Sequence, residues 1–377
     1  MLSATCNQKE LQQAIKLVAR GVRRKGVTPI QNNIMLEVKK ENGGYQLHLA
    51  ADDQEYMSFS TVMDIEDGEE GAITVPPAVL GSMVGKLVSK TVTLEETENN
   101  RLDITGADFK SFVHGLPADD FERRVGGEYF AEFEIPQTDL RTMLRQTVFA
   151  AHTDETRPIL TGLLFDIKGE QLNVVSTDTY RLCVYSYTFP APVVEEATSI
   201  VYGKMLQEVL RLLNDGKEEP VIFRLGEDWI EVVVGDVVLG TPPIEGQYVP
   251  YEKVIPAETK GKAILDVAEL AAALKRAQPV AKHDAHRVVF AFKPGEVELS
   301  AQSKDTGSCG EVLEAETEGE LITTAFNGNY MHDMVSVCGT EQVVIETISQ
   351  LSPVIVRPVG ADNFIYVVMP MGVMQVQ

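Results

Sequence analysis

Cysteine is scarce in this chain. There are four among 377 residues, Cys6, Cys183, Cys309 and Cys338, far apart and with no CxxC pair. That excludes a disulfide framework and is the usage of reduced core thiols in a cytoplasmic protein. Long apolar runs are absent too: none approaches the roughly 20 residues that span a bilayer, so no membrane partner is expected. The first residues, MLSATCNQKELQQAIK, have no basic region followed by an apolar stretch, and no signal peptide is expected. Positive charge is in short supply, with 33 Lys and Arg against 56 Asp and Glu and a net charge of −23. Taken globally, this argues against a nucleic-acid partner, because phosphate binding needs cationic surface. The sum, however, hides how the charge is distributed.

Catalytic constellations are also missing. There is no Gly-rich phosphate loop and no dinucleotide fingerprint. HDAH, His283 to His286, sets two imidazoles three apart around Asp284 without a third ligand at site-like spacing, and reads as a solvated loop. STDTYR offers hydroxyls and a carboxylate with no partnering histidine, so Asp178 reads as a turn or network residue rather than a base. No catalytic residue, metal or cofactor is expected.

What the chain does contain is one pattern written three times. KELQQAIKLVARGVRRKGVTPIQNNIMLEV, from Lys9, aligns with TDLRTMLRQTVFAAHTDETRPILTGLLFDI, from Thr138. Leu11 meets Leu140 and Pro29 meets Pro158, both at an offset of 129. A third copy, AELAAALKRAQPVAKHDAHRVVFAF, places Leu270 130 beyond Leu140. Further on, Leu47, Leu172 and Val297 follow one another at 125. In each unit of about 125 residues an alternating strand leads into an amphipathic helix. Period-two strands, a second helix and more strands follow. Leu11, Ile15, Val18 and Val22 mark one helical face, as do Leu140, Leu144 and Val148. Glu10, Asp139 and Glu269 sit in first turns, where the helix dipole favours acid. The expected fold is α+β, with helices gathered on one face of antiparallel sheets. The expected domains are 1–128, 129–258 and 259–377, abutting near GGEYFAEFEIP and YEKVIPAETKGKAILDV.

The cations cluster on the helical segments. The first carries Lys16 and Arg20 and exits through Arg23, Arg24 and Lys25; its counterpart in the second unit carries Arg141 and Arg145; that of the third unit and its exit hold Lys275, Arg276, Lys282 and Arg287; second helices add Lys86, Lys90, Lys204 and Arg211. The acid lies in strands and loops such as DIEDGEEG and LPADDFE. Basic residues late in a helix also complement its dipole, but the same bias across three repeats points to a shared basic surface for phosphates without base reading.

Six segments in order, RPILTGLLFDI, LNVVSTDTYRLCV, YVPYEKVIP, FNGNYMHDM, SPVIVRP and YVVMPM, resemble those of the bacterial sliding clamps, the beta subunits of DNA polymerase III, over essentially the whole chain. The resemblance implies three tandem repeats of the DNA-clamp fold. It implies a head-to-tail homodimeric ring with helices inside and antiparallel sheets outside. Such a ring encircles and slides on duplex DNA as a polymerase processivity factor, with no catalysis of its own. It also implies a hydrophobic pocket between domains 2 and 3, which takes a short linear motif from the replicative polymerase, the clamp loader and other partners.

Residue by residue, the resemblance assigns that pocket to Leu160, Thr177, Thr179, Tyr180, Arg181, Leu182, Val249, Pro250, Val254, Ser352, Val367, Val368, Met369, Pro370 and Met371. It assigns DNA contacts to Arg23, Arg24 and Lys25 at the exit of the first helix; Arg20, Arg141, Arg145 and Lys204 join them through the charge bias. The dimer seam is assigned to Phe112 and Val113 on domain 1 against Pro279 and Val280 on domain 3. The chain departs from the family at Thr179–Tyr180, where Gly-His or Gly-Tyr is common. Its proline in YVPYEKVIP is displaced by one, to Pro250, and its last residues, Gly372 to Gln377, replace an Arg and a Leu. The first half of the apolar tail YVVMPMGVMQVQ thus reads as a last strand and one wall of a partner groove; the six residues after Met371 extend that groove, cover it when empty or fray. The alternative is an enzyme, such as a hydrolase, with a site at a domain seam; the basic helices and the apolar tail serve a clamp and do nothing evident for an enzyme.

Overall fold

The computed structural model describes residues 1–22, 28–41, 43–124, 126–214, 216 and 219–372, so Arg23, Arg24 and Lys25 and the last five residues lie outside the described residues. The helices are α1 (Gln8–Val18), α2 (Pro77–Val84), α3 (Gln137–Thr147), the single turn α4 (Pro158–Thr161), α5 (Gly203–Leu212), α6 (Val267–Ala281) and α7 (Gly328–Ser336). Each start has a local cause. Asn7 caps α1 by accepting from the Lys9 and Glu10 amides at 2.9 and 3.3 Å, and Asp266 caps α6 by accepting from Glu269 N at 2.9 Å. Pro77 opens α2, where its missing N–H costs nothing. Glu10, Asp139 and Glu269 lie in first turns, at the positive end of the helix dipole.

Leu11, Ile15 and Val18 form the buried stripe of α1. Val22, which the spacing places on the same face, is off the helix. The chain tightens into a 3₁₀ turn at Ala19–Gly21 and is extended by Val22. Gly21 explains the change, because a Cβ there would stand 2.9 Å from the Phe59 ring, so only glycine allows the turn to approach the sheet this closely. Val148 likewise falls in a 3₁₀ turn after α3, although it stays buried.

Two compact units divide the chain: Met1–Thr138 with Arg211–Pro243, and Asp139–Leu210 with Ile244–Gln377. All strand pairs within them are antiparallel. The first unit holds a five-stranded sheet ordered Asp67–Glu69, Ser3–Asn7, Thr91–Thr97, Arg101–Gly106, Phe109–His114. Its nine-stranded sheet runs Leu116–Pro117, Gly71–Val75, Ile34–Glu41, Gly44–Asp52, Ser58–Ile65, Val237–Thr241, Ile230–Val234, Val221–Gly226, Tyr129–Ile135. The second unit has a nine-stranded sheet ordered Val194–Tyr202, Gly162–Gly169, Gln171–Thr177, Arg181–Thr188, Phe364–Val368, Val354–Pro358, Gln342–Thr347, Gly261–Asp266, Glu316–Gly319. Its four-stranded sheet runs Gly307–Glu314, Glu296–Ser303, Arg287–Lys293, Thr323–Asn327.

Each long sheet therefore joins strands of successive repeats, at Ser58–Ile65 with Val237–Thr241 and at Arg181–Thr188 with Phe364–Val368. The middle repeat is shared between the two compact units for this reason. Alternation along strands fills the cores: Ala131, Phe133 and Ile135 point inward, and Phe133 stacks on Phe223 at 5.4 Å. All four cysteines are free; burial, with Glu66 adding to it, pushes the Cys6 thiol up to about 12, so it is an inert core group at neutral pH. Among the described residues no helix is long and apolar enough to cross a membrane.

Candidate functional site

The site lies wholly in the second unit and begins at the turn between Gln171–Thr177 and Arg181–Thr188. Asp178 Oδ1 accepts from the backbone N–H groups of Tyr180 and Arg181 at 2.9 and 3.0 Å, which is why an aspartate opens this turn. Thr177 Oγ1 accepts from Thr179 N at 3.1 Å and donates to Arg181 O at 2.6 Å. The turn forces Thr179 to φ 79°, the left-handed region that favours glycine and penalises a β-branched residue. The glycine expected here from the resemblance would relieve that cost.

Arg181 fixes the turn from behind. Its guanidinium donates to Asp178 Oδ2 at 3.0 Å, to Asp333 Oδ2 of α7 at 2.7 Å and to Phe149 O at 2.9 Å. The same group lies 4.3 Å from the Tyr330 ring centre and 5.2 Å from that of Phe149. Its side chain is 9% exposed. Burial pulls its pKa down, while Tyr366, Asp333 and Asp178 raise it more, so the net shift is upward. Arg181 thus braces the wall and turns its charge away from solvent, whereas its neighbour Tyr180 stands 61% exposed.

The C-terminal strand Phe364–Val368 completes the sheet here, pairing Val367 with Leu182 and Val368 with Arg181. Met369 N donates to Tyr180 O at 2.8 Å, and Met371 N to Ala325 O at 2.7 Å. Leu182 and Val367, each 2% exposed, share one apolar cluster with Val175, Tyr248, Tyr251 and Ile355, and Val249, Ile159 and Ile255 pack against it. Each such side chain contributes about 1.5–3 kcal/mol on burial.

The segment carrying Val249 and Pro250 is tied down by two phenols. Tyr251 donates to Asp166 Oδ2 at 2.8 Å, and Tyr248 reaches Gly162 O and Val175 O, both at 3.4 Å. Burial, and then Asp166, raise the Tyr251 phenol, so it remains a donor at neutral pH. Tyr180, Val254 and Met369 are exposed apolar groups. Pro370 and Met371 continue the strand's exit, and Leu160 lies in α4, 8% exposed. Ser352 sits in a polar turn with Ser349, its hydroxyl 2.6 Å away. The result is a buried apolar cluster, with the exposed Tyr180 and Met369 joined by a backbone bond at the adjoining turn.

Leu182, Val249 and Val367 therefore meet in one cluster; Thr177, Thr179, Tyr180 and Arg181 form one turn; Val368 and Met369 are bonded to it. Sequence reasoning missed the brace of Asp333, Tyr330 and Phe149, which come from separate segments with no shared period. It also missed the anchoring role of Tyr248 and Tyr251, whose signal was their place inside YVPYEKVIP.

Of the basic set, Arg20 is exposed in the turn after α1, and Arg145 is exposed in the last turn of α3, with Arg141 half-buried before it. Lys204 opens α5 and pairs with Glu155 at 2.7 Å, which raises its pKa, as does its bond to Tyr202. At the expected seam, Phe112 is 43% exposed on the edge strand Phe109–His114, with Arg101 4.1 Å over its ring, while Val113 faces the core at 6%. Pro279 is exposed inside α6 and Val280 is half-buried. Among the described residues no cluster of three metal-ligating side chains occurs, His283 and His286 included.

Comparison with known proteins matches three consecutive family profiles. They are the N-terminal domain of the DNA polymerase III beta subunit at residues 2–124, its central domain at 134–250 and its C-terminal domain at 252–372. The beta sliding clamp of Pseudomonas aeruginosa is 28% identical over 367 residues, covering 97% of this chain and 99% of that protein. That of Bacillus subtilis is 26% identical over 378 residues, covering 97% and 98%. Among solved structures, the DNA polymerase III subunit beta of P. aeruginosa superposes with a TM-score of 0.91 at 27% identity, covering 98% of this chain and 100% of that one. The P. aeruginosa sliding clamp bound to griselimycin superposes at 0.92 and 26%, covering 99% and 100%. Three clamp domains in tandem, aligned end to end with these relatives, make the chain a member of the DNA polymerase III beta subunit family.

Proposed function

We propose that this protein is a processivity clamp of DNA replication: a head-to-tail homodimer that encircles duplex DNA, slides on it and tethers the replicative polymerase. Each chain contributes three domains, 1–128, 129–258 and 259–377, to a ring of six, with helices toward the DNA and sheets outside. Arg20, Arg23, Arg24, Lys25, Arg141, Arg145 and Lys204 supply weak, sequence-independent phosphate contacts. Retention by topology needs little affinity, and weak contacts permit sliding. The protein holds and positions its partners in the cytoplasm and performs no chemistry.

The edge strands Phe109–His114 and Gly307–Glu314 each end a sheet, and an unpaired edge is a template for another chain. Joined edge to edge between two copies, with Phe112 and Val113 of one near Pro279 and Val280 of the other, they give a heterologous contact that closes when the rotation closes. Polymerase, clamp loader and other partners dock a linear motif in the groove of the second unit.

The observation that supports this reading is the wall from which such a groove would be built: Leu182 paired with Val367 in the sheet, and Tyr180 and Met369 exposed beside them. The test is a fluorescent peptide bearing a clamp-binding motif, titrated into the full chain and into a chain lacking residues 369–377. Light scattering is expected to give twice the monomer mass for both. Peptide binding is expected only for the first, and undiminished binding by the shortened chain rejects the tail as a groove wall.

A further inference from the structure

A cavity of about 510 Å³ lies in the first unit, lined by Ile30, Leu116 and Phe121 and by Gln31, Asp120 and Glu122 among others. We propose that it is a second docking groove, for an extended peptide segment that carries a lysine or arginine beside an apolar side chain.

Its walls stand at the repeat positions of the elements that flank the proposed groove in the other unit. The turn Pro29–Asn32 stands 129 residues before α4, with Gln31 at the position of Leu160. The turn at Asp53 stands 125 before the turn at Asp178. Asp53 Oδ1 accepts from the amides of Glu55, Tyr56 and Met57 at 2.9, 2.7 and 2.9 Å, as Asp178 does for its own turn. The residue after each aspartate is left-handed, Gln54 at φ 64° and Thr179 at φ 79°. The third wall, from Leu116 to Glu122, leaves a sheet edge where Leu116 pairs with Thr74. Its counterpart leaves the edge where Ile244 N donates to Ile200 O at 2.9 Å.

The lining differs, and the difference selects the ligand. Asp52, at the position of Thr177, is already neutralised by Arg124, whose Nη2 and Nε donate to its carboxylate at 2.7 and 3.2 Å. Asp120 and Glu122 remain as exposed carboxylates on a wall that Gln54 braces by donating to Glu122 O at 2.7 Å. Their charge orients a cationic side chain and disfavours an acidic one. Ile30, Leu116 and Phe121 are half-buried and offer apolar contact to its neighbours. The volume falls within the roughly 300–1,000 Å³ of small-ligand sites. None of these residues belongs to the groove of the second unit, so the inference stands on this cavity whatever binds there.

The experiment is methyl NMR of the full chain labelled at isoleucine δ1, with Ile30 reporting on this cavity and Ile159 on the other groove. The probes are the capped hexapeptide Gly-Leu-Lys-Phe-Leu-Gly and its twin with Glu in place of Lys. The lysine peptide is expected to shift Ile30 saturably, and the glutamate twin is expected not to. Asp120→Asn with Glu122→Gln, a surface change, is expected to weaken the lysine peptide about five- to tenfold, the scale of two exposed ion pairs. An Ile30 methyl that never moves, equal response to both peptides, or equal affinity in the double variant overturns the proposal. Movement of Ile30 on diluting the protein alone also overturns it, by assigning the cavity to a second copy. A clamp-motif peptide that fails to move Ile159 counts against the other groove and leaves the Ile30 result intact.

Discussion

The turns at Asp53 and Asp178 share a backbone and differ in how they are braced. Each aspartate gathers the amides of its own turn, and each is followed by a left-handed residue. In the second unit the bracing arginine comes from the turn itself, Arg181, and reaches Asp178, Asp333 and the face of Tyr330. In the first unit it comes from downstream: Arg124 holds Asp52 and lies 4.8 Å over the Trp229 ring. Repeats can therefore keep a backbone while the chemistry that fixes it moves to another segment. The cluster of Leu182 and Val367 beside the second turn is apolar, whereas the cavity beside the first is rimmed with acid.

The sharpest way to break the comparison is Arg181→Ala. Removing one partner of a nearly buried charged network leaves Asp178 uncompensated, and the expected loss is about 3–5 kcal/mol, read as a fall in denaturant midpoint. Arg181→Lys is expected to recover little, because an ammonium cannot meet three acceptors set by a planar fork. Next is Tyr251→Phe, which removes the bond to Asp166 and leaves a buried carboxylate short of a donor; about 1–2 kcal/mol of stability is expected to go, with weaker motif-peptide binding as Val249 and Pro250 loosen. Thr179→Gly is expected to raise stability by about 1 kcal/mol, since glycine accepts φ 79° freely. Gln54→Gly is expected to gain less, because glutamine is not β-branched and its bond to Glu122 O is lost with the side chain; a gain equal to that of Thr179→Gly would contradict both reasons. The smallest effect is Lys204→Gln. The exposed pair with Glu155 is expected to matter by under about 0.5 kcal/mol in unfolding, while the salt slope of DNA binding flattens.

Much of this was legible in the sequence. The three repeats and the strand-then-helix start of each follow from periods of two and 3.6, and the first-turn acids Glu10, Asp139 and Glu269 from their place at the helix starts. The last strand was legible in the apolar run YVVMPM, and the turn at Asp178 in the residues of STDTYR. The sharing of the middle repeat between two units was not legible, since which strand edges pair across repeats has no local signature. Nor was the end of α1 at Val18, which Gly21 and Phe59 decide by contact across 38 residues of chain. Phe112 and Val113 were named together for the seam, yet alternation sends one outward and the other into the core. The brace around Arg181 was hidden because Phe149, Tyr330 and Asp333 meet it only after folding.

The central claim is retention by topology, and circular DNA tests it most directly. The protein is loaded onto a nicked circular plasmid by its clamp loader, the complex is isolated, and the plasmid is cut once with a restriction enzyme. The account predicts that protein bound to the circle comes off once the DNA is linear, at unchanged salt. Protein that stays on the linear DNA as firmly as on the circle contradicts it.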